Sequence, residues 1–142
     1  MKTDELRKGN LINFYRDNTI GSVSNIEEQY IDFVSLNTGF CCYDKHIDYF
    51  EPIELTKDIL ENLKFSVGGE CSFYSHIRED GKEVSIKYYT WANGETCIEL
   101  VILEKRPLCE SIFKRNIKYL HQLQNLYYLL TEEEFDIKGL NI

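Results

Sequence analysis

Phe73-Tyr74-Ser75-His76-Ile77-Arg78-Glu79-Asp80-Gly81-Lys82-Glu83-Val84-Ser85-Ile86-Lys87-Tyr88-Tyr89-Thr90-Trp91-Ala92-Asn93-Gly94-Glu95-Thr96-Cys97-Ile98-Glu99-Leu100-Val101-Ile102-Leu103 is the stretch on which the fold turns. Two hairpin signals, Asp80-Gly81 and Asn93-Gly94, stand 13 residues apart, with apolar residues alternating on either side. The pattern predicts a three-stranded antiparallel meander. A two-residue turn that sets Glu79 opposite Lys82 carries Ile77 to Val84, Ser75 to Ile86 and Phe73 to Tyr88. The second turn likewise sets Val84 against Leu103, Ile86 against Val101 and Tyr88 against Glu99. One side then holds Phe73, Ile77, Val84, Ile86, Tyr88, Val101 and Leu103, which reads as core. The other collects Tyr74, His76, Lys87, Tyr89, Trp91, Ile98, Leu100 and Ile102. An antiparallel sheet with one wet side should be polar there. Burying each apolar member yields roughly 1.5–3 kcal/mol, so a cover is expected, from the rest of the chain or from a partner.

Upstream, Leu11 to Tyr15, Ile20 to Ile26, Tyr30 to Leu36 and Phe40 to Tyr43 read as short strands parted by Asp17-Asn18, Glu27-Glu28 and Asn37-Thr38-Gly39. Their spacing predicts a small curled antiparallel sheet, an SH3-like half-barrel, with Gly21 marking a bulge or sharp bend. Thr56 is an N-cap candidate followed by Asp58, with Leu55 and Leu60 at staple positions. Leu55, Ile59, Leu60 and Leu63 form the apolar stripe of a two-to-three-turn helix that Gly68-Gly69 ends.

Downstream, Ile112, Phe113, Ile117, Leu120, Leu123, Tyr127 and Leu130 recur mostly at three- and four-residue steps and predict a long amphipathic helix from about Cys109 to Leu130. Beside that stripe runs a polar, uncharged one of His121, Gln124, Asn125 and Tyr128. Thr131-Glu132-Glu133-Glu134 has capping-box spacing and reads as the start of a short acidic turn. The fold class is therefore α+β: curled sheet, short helix, meander, and a long C-terminal helix packed on the sheet. Residues 1–142 read as one domain, with a subdivision into 1–50 and an αβββα part, 51–142.

Composition bounds the function. With 24 acidic against 16 basic residues the net charge is −8, which argues against direct, non-specific nucleic-acid binding. Residues 44–61 hold six acids and two bases, whereas 105–118 hold five bases and one acid. Aromatics reach 13%, including ten tyrosines, whose rings suit contact surfaces. No run of 18 apolar residues is present, so no membrane span is expected. Met1-Lys2-Thr3-Asp4-Glu5 leads into no apolar signal segment, and the setting expected is the cytoplasm. Five cysteines without CxxC spacing read as reduced thiols used as small hydrophobes. Neither a metal nor a cofactor is implied, and Cys41, Cys42, His46 and His76 make a poor ligand set because adjacent cysteines seldom face one ion.

No phosphate-binding loop, dinucleotide fingerprint, HExxH or GxSxG appears, and no catalytic residue is assigned. His121 as a general base would need an orienting acid and a nucleophile, while a half-buried polar stripe more simply hydrogen-bonds to neighbouring backbone. Three stretches carry a resemblance: Glu5-Leu6-Arg7-Lys8-Gly9-Asn10-Leu11-Ile12, Pro52-Ile53-Glu54-Leu55-Thr56, and Ile117-Lys118-Tyr119-Leu120-His121-Gln122-Leu123-Gln124-Asn125-Leu126-Tyr127. Together they resemble a family of small uncharacterised proteins of Bacteroidota genomes, prophages and phages, which begin with an ELRxGN-like segment and end in a YxHQLQNLY-like helix. Leu120 stands where a valine is usual. The resemblance implies a phage or mobile-element setting and brings no activity or site residues.

The expected function is a non-enzymatic protein-binding module, such as an acidic inhibitor of a host nucleic-acid-binding or defence protein. Tyr74, His76, Tyr89, Trp91, His121, Gln124, Asn125 and Tyr128 are its interface candidates. A homodimer would be another way to cover the sheet. The alternatives are a small hydrolase or nucleotide-handling enzyme using His121, or a virion-assembly component.

Overall fold

The computed structural model describes residues 1–63, 66–68, 73–77, 83–90, 96–103, 110–114, 117–134, 137 and 140. The chain divides into two compact units. The first comprises Met1–Glu54 and Tyr119–Phe135 with Ile142, and the second Leu55–Lys118 with Asp136–Asn141. The second is thus inserted into the first. Where the chain leaves and returns, Glu54 and Tyr119 form an antiparallel bridge. The Leu55 N–H donates to the Lys118 carbonyl at 2.9 Å, and the Leu120 N–H to the Ile53 carbonyl at 2.9 Å.

Five strands build the first unit: β1 (Leu11–Phe14), β2 (Thr19–Glu27), β3 (Tyr30–Ser35), β4 (Cys41–His46) and β5 (Phe50–Pro52). All neighbours are antiparallel, in the order β4-β3-β2-β1-β5. Register shifts between Val23 and Asn25 and between Ile31 and Phe33 let the sheet curl. The sheet encloses Leu6, Ile12, Phe14, Val23, Ile31, Phe33, Cys42, Ile47 and Phe50. Gly21 lies away from the register shift. It is glycine because a Cβ there would stand 2.4 Å from the Phe33 ring and 2.4 Å from the Val34 carbonyl oxygen. A one-turn 3₁₀ helix, Ile47–Tyr49, leads into β5, which pairs Phe50 with Phe14.

Helix α1 (Lys57–Asn62) opens the second unit, and the Thr56 hydroxyl caps it by accepting from the Ile59 N–H at 3.3 Å. Leu55, Ile59, Leu60 and Leu63 are all buried, as the stripe requires. The helix is shorter than expected, and Gly68 is no terminator, because Ser66–Gly68 is strand β6. The sheet that follows is β7 (Phe73–Ile77), β8 (Glu83–Thr90), β9 (Thr96–Leu103) and β10 (Glu110–Lys114), in the order β10-β9-β8-β7-β6. The meander is therefore the centre of a five-stranded sheet. Residues 110–114, expected as helix, extend it, since Ser111-Ile112-Phe113 suits a strand and pairs with β9.

The register differs from the expected one by a single residue at both hairpins. Ile77 pairs with Glu83, and Thr90 with Thr96. Each pair spans an odd number of residues, whereas a two-residue turn needs an even one. The parity decides which positions share a side. Tyr74, Ile86 and Leu100 align across the three strands, as do His76, Val84 and Ile102, while Tyr88 aligns with Ile98. The alternate positions align Ser75, Ser85 and Val101, and Phe73, Lys87 and Glu99, with Lys114 beside Glu99. Lys87, Glu99 and Lys114 thus occupy aligned positions on three neighbouring strands. The membership of the two sides is corrected, yet apolar positions still fall on both: Ile77, Glu83 and Leu103 align, as do Tyr89 and Cys97, on the side of Phe73 and Val101. Lys87 and Tyr89 also part from Tyr74 and His76.

The C-terminal helix, α2, is Leu120–Thr131 and belongs to the first unit. Thr131 closes it instead of opening a new turn. Its Oγ1 donates to the Tyr127 carbonyl at 2.7 Å, and Glu132 follows at φ 58° with its N–H on the Tyr128 carbonyl. Leu11 and Ile12, which face opposite sides of β1, are both fully buried. The sheet core covers Ile12. Residues of α2 lie against β1. No described helix is long and apolar enough to cross a membrane.

Candidate functional site

Four of the expected interface residues sit on α2, and three of them tie the helix to the segment before β1. The Gln124 Oε1 accepts from the Leu11 N–H at 2.9 Å, and its Nε2 donates to the Gly9 carbonyl at 3.3 Å. The Asn125 Nδ2 donates to the Glu5 carbonyl at 2.8 Å, while its Oδ1 accepts from Asn10 Nδ2 at 2.8 Å. Asn10 in turn accepts the Arg7 N–H at 2.9 Å. Gly9 holds φ 90°, a conformation that favours glycine, and this turns its carbonyl toward Gln124. The Arg7 guanidinium forks onto the Glu134 carboxylate, with Nη2 2.7 Å from Oε2 and Nη1 bonded to Oε1. It also lies 4.2 Å above the Tyr128 ring. Residues 5–11 and the Gln124-Asn125 pair of α2 therefore clasp one another.

His121 does no such work. It is fully buried, and its ring stacks on Tyr119 at 5.8 Å and 9°. Among the described residues, neither ring nitrogen finds a hydrogen-bond partner. Burial pushes its pKa below the ordinary histidine value, against a smaller opposing pull from Glu5. The imidazole is thus held in the interior of the first unit, away from solvent. Among the described residues, no three His, Cys, Asp or Glu side chains gather as a metal site would need.

His121 and Gln124 are interior, Asn125 is half-buried, and Tyr128 is exposed beneath Arg7. Tyr74, His76 and Tyr89 are placed at their register positions in β7 and β8. Trp91 lies outside the described residues.

A different surface stands out. Phe14, buried at the end of β1, is the hub of an aromatic cluster, with Phe33, Phe40, Tyr15, Tyr49 and Phe50 at ring-centre distances of 5.5–6.5 Å. From this buried base the cluster reaches solvent through Tyr15 and Phe40, 47% and 45% exposed, and through half-buried Tyr49. Tyr15 and Tyr49 stack at 6.0 Å with planes 16° apart, and the Tyr15 N–H donates to the Tyr49 carbonyl at 3.2 Å. The pairing of Phe14 with Phe50 explains this: both phenylalanines face the core, so the tyrosine beside each is delivered to the outside. Arg16 lays its guanidinium 5.1 Å from the Tyr49 ring centre. Asp17, Asp48 and Glu51 are exposed neighbours in the chain. The sequence signal, overlooked, was an aromatic pair at both Phe14-Tyr15 and Tyr49-Phe50, where a half-buried strand would alternate with a polar residue.

No protein-family model, curated protein or solved structure matches this chain.

Proposed function

We propose that the protein is a non-enzymatic protein-binding module of a phage or mobile element. It works in the cytoplasm of a bacterial host, and the surface of Tyr15, Phe40 and Tyr49 is its docking face. The observation that carries this reading is that surface, where two large rings are about half exposed over a buried aromatic base. Large aromatics with an apolar body and a wet tip dominate contact energetics when a partner covers them. The first unit is an SH3-like half-barrel in this reading, supported by the β4-β3-β2-β1-β5 order and the one-turn helix before β5. The net charge of −8 favours a basic partner, such as the contact face of a host nucleic-acid-binding or defence protein, and speeds the encounter. Burial of His121 argues against the hydrolase alternative.

Affinity capture from host lysate tests the reading, with the chain and a Tyr15→Ser/Phe40→Ser variant of equal thermal stability as baits. A partner held by the first and lost by the second is expected. Identical captures by both baits would overturn it. Self-association that the double variant abolishes would point instead to a homodimer or an assembly component.

A further inference from the structure

We infer that the stacked Tyr15–Tyr49 pair is a receptor for a cationic side chain, which takes a guanidinium or ammonium group from an extended basic segment of the partner. This rests on the binding-module reading above and adds the chemistry of what binds. The ring faces of tyrosine carry negative potential and attract such cations. Arg16 already shows the site accepting one: its guanidinium lies 5.1 Å from the Tyr49 centre, yet the side chain stays exposed and displaceable. The surroundings suit a cation rather than an anion. Asp17 follows Arg16 directly, the Asp48 carboxyl beside Tyr49 is 84% exposed with one oxygen 3.1 Å from His46 Nδ1, and Glu51 is exposed two residues further on. Asp48 and Glu51 belong to residues 44–54, which hold four acids to one base. Phe40, its ring 6.4 Å from that of Phe14, gives an apolar residue of the same segment a place to rest. Arg16 is then an internal occupant that a partner's arginine replaces, and it competes for the ring face.

The test is selection of a displayed library of random nine-residue peptides on the full chain, followed by titration with the enriched peptide made synthetically. Enrichment of arginine or lysine is expected. Replacing that arginine by citrulline, which keeps the shape and loses the charge, should weaken binding about three- to tenfold. Tyr15→Leu should weaken binding similarly, whereas Arg16→Ala should leave it unchanged or tighten it. Loss of binding in Arg16→Ala would overturn the proposal, because Arg16 would then be reading an acidic partner. Enrichment of acidic or uncharged peptides, or of none, would overturn it too. If lysate capture still depends on Tyr15 and Phe40 in that case, the docking face stands and only its cation preference falls. If capture is also indifferent, both fall.

Discussion

Replacing Gln124 with alanine should loosen the clasp between α2 and the N-terminal segment. The side chain is 3% exposed and satisfies two backbone groups, the Leu11 N–H at 2.9 Å and the Gly9 carbonyl at 3.3 Å. Truncation leaves a buried N–H without a partner, at a cost of about 1–3 kcal/mol. Losing the bond to Gly9 and the packing of the side-chain stem brings the expected total to about 2–4 kcal/mol, a large part of a typical domain stability of about 5–15 kcal/mol. The chain has two units, so one global unfolding curve need not be two-state. Hydrogen exchange read by mass spectrometry is the better assay, because it reports each segment separately. Peptides covering 7–14 and 119–131 should lose protection by a factor of about 30 or more, while those from the inserted unit should not change. Unchanged protection at Leu11 would mean that Gln124 is not the element that holds it. Asn125→Ala, at a half-buried position, should have the same sign and about 1 kcal/mol.

Three further outcomes follow from other sites. Gly21→Ala forces a methyl to within 2.4 Å of the Phe33 ring and the Val34 carbonyl; about 2 kcal/mol or more of destabilisation is expected by urea titration, and a loss below 0.5 kcal/mol would refute the close approach. Cys41 is exposed, whereas Cys42 is buried and its thiol is pushed up by desolvation, so iodoacetamide followed by peptide mapping should label Cys41 first. His121 titrates with its folded pKa below the ordinary value of 6.5, so the unfolded chain takes up the proton first. Its stabilising contribution is complete above that pH and is lost as pH falls through it. The urea midpoint should therefore drop between pH 7 and 5, and less steeply in His121→Phe.

Where local patterns are self-sufficient, the sequence reveals the fold. Strands β1 to β4 were legible because apolar residues alternate between strong turn residues, and α1 because Thr56 is a cap before a clean stripe. β5 was hidden by its length of three residues and by Pro52 at its end. β10 was hidden because Ile112, Phe113 and Ile117 fall at helical as well as strand spacing. The register departs by one residue because Asp80-Gly81 and Asn93-Gly94 suggest two-residue turns, whereas Ile77 aligns with Glu83 and Thr90 with Thr96, and one residue of slip changes which positions share a side. The His121-Gln124-Asn125 stripe was visible as unusual. Its partners were not, since Gly9 and Asn10 lie more than 110 residues away in the chain. Tyr15, Phe40 and Tyr49 each look ordinary alone; the pairing of β1 with β5 brings Tyr15 to Tyr49, and Phe40 joins them through Phe14.

Hydrogen exchange of the chain with and without the captured partner tests the docking face most directly. Protection should appear at residues 14–17, 39–41 and 48–51, and α2 should be unaffected. Protection confined to α2 around Asn125 and Tyr128, with the Tyr15–Tyr49 surface unchanged, would contradict the account.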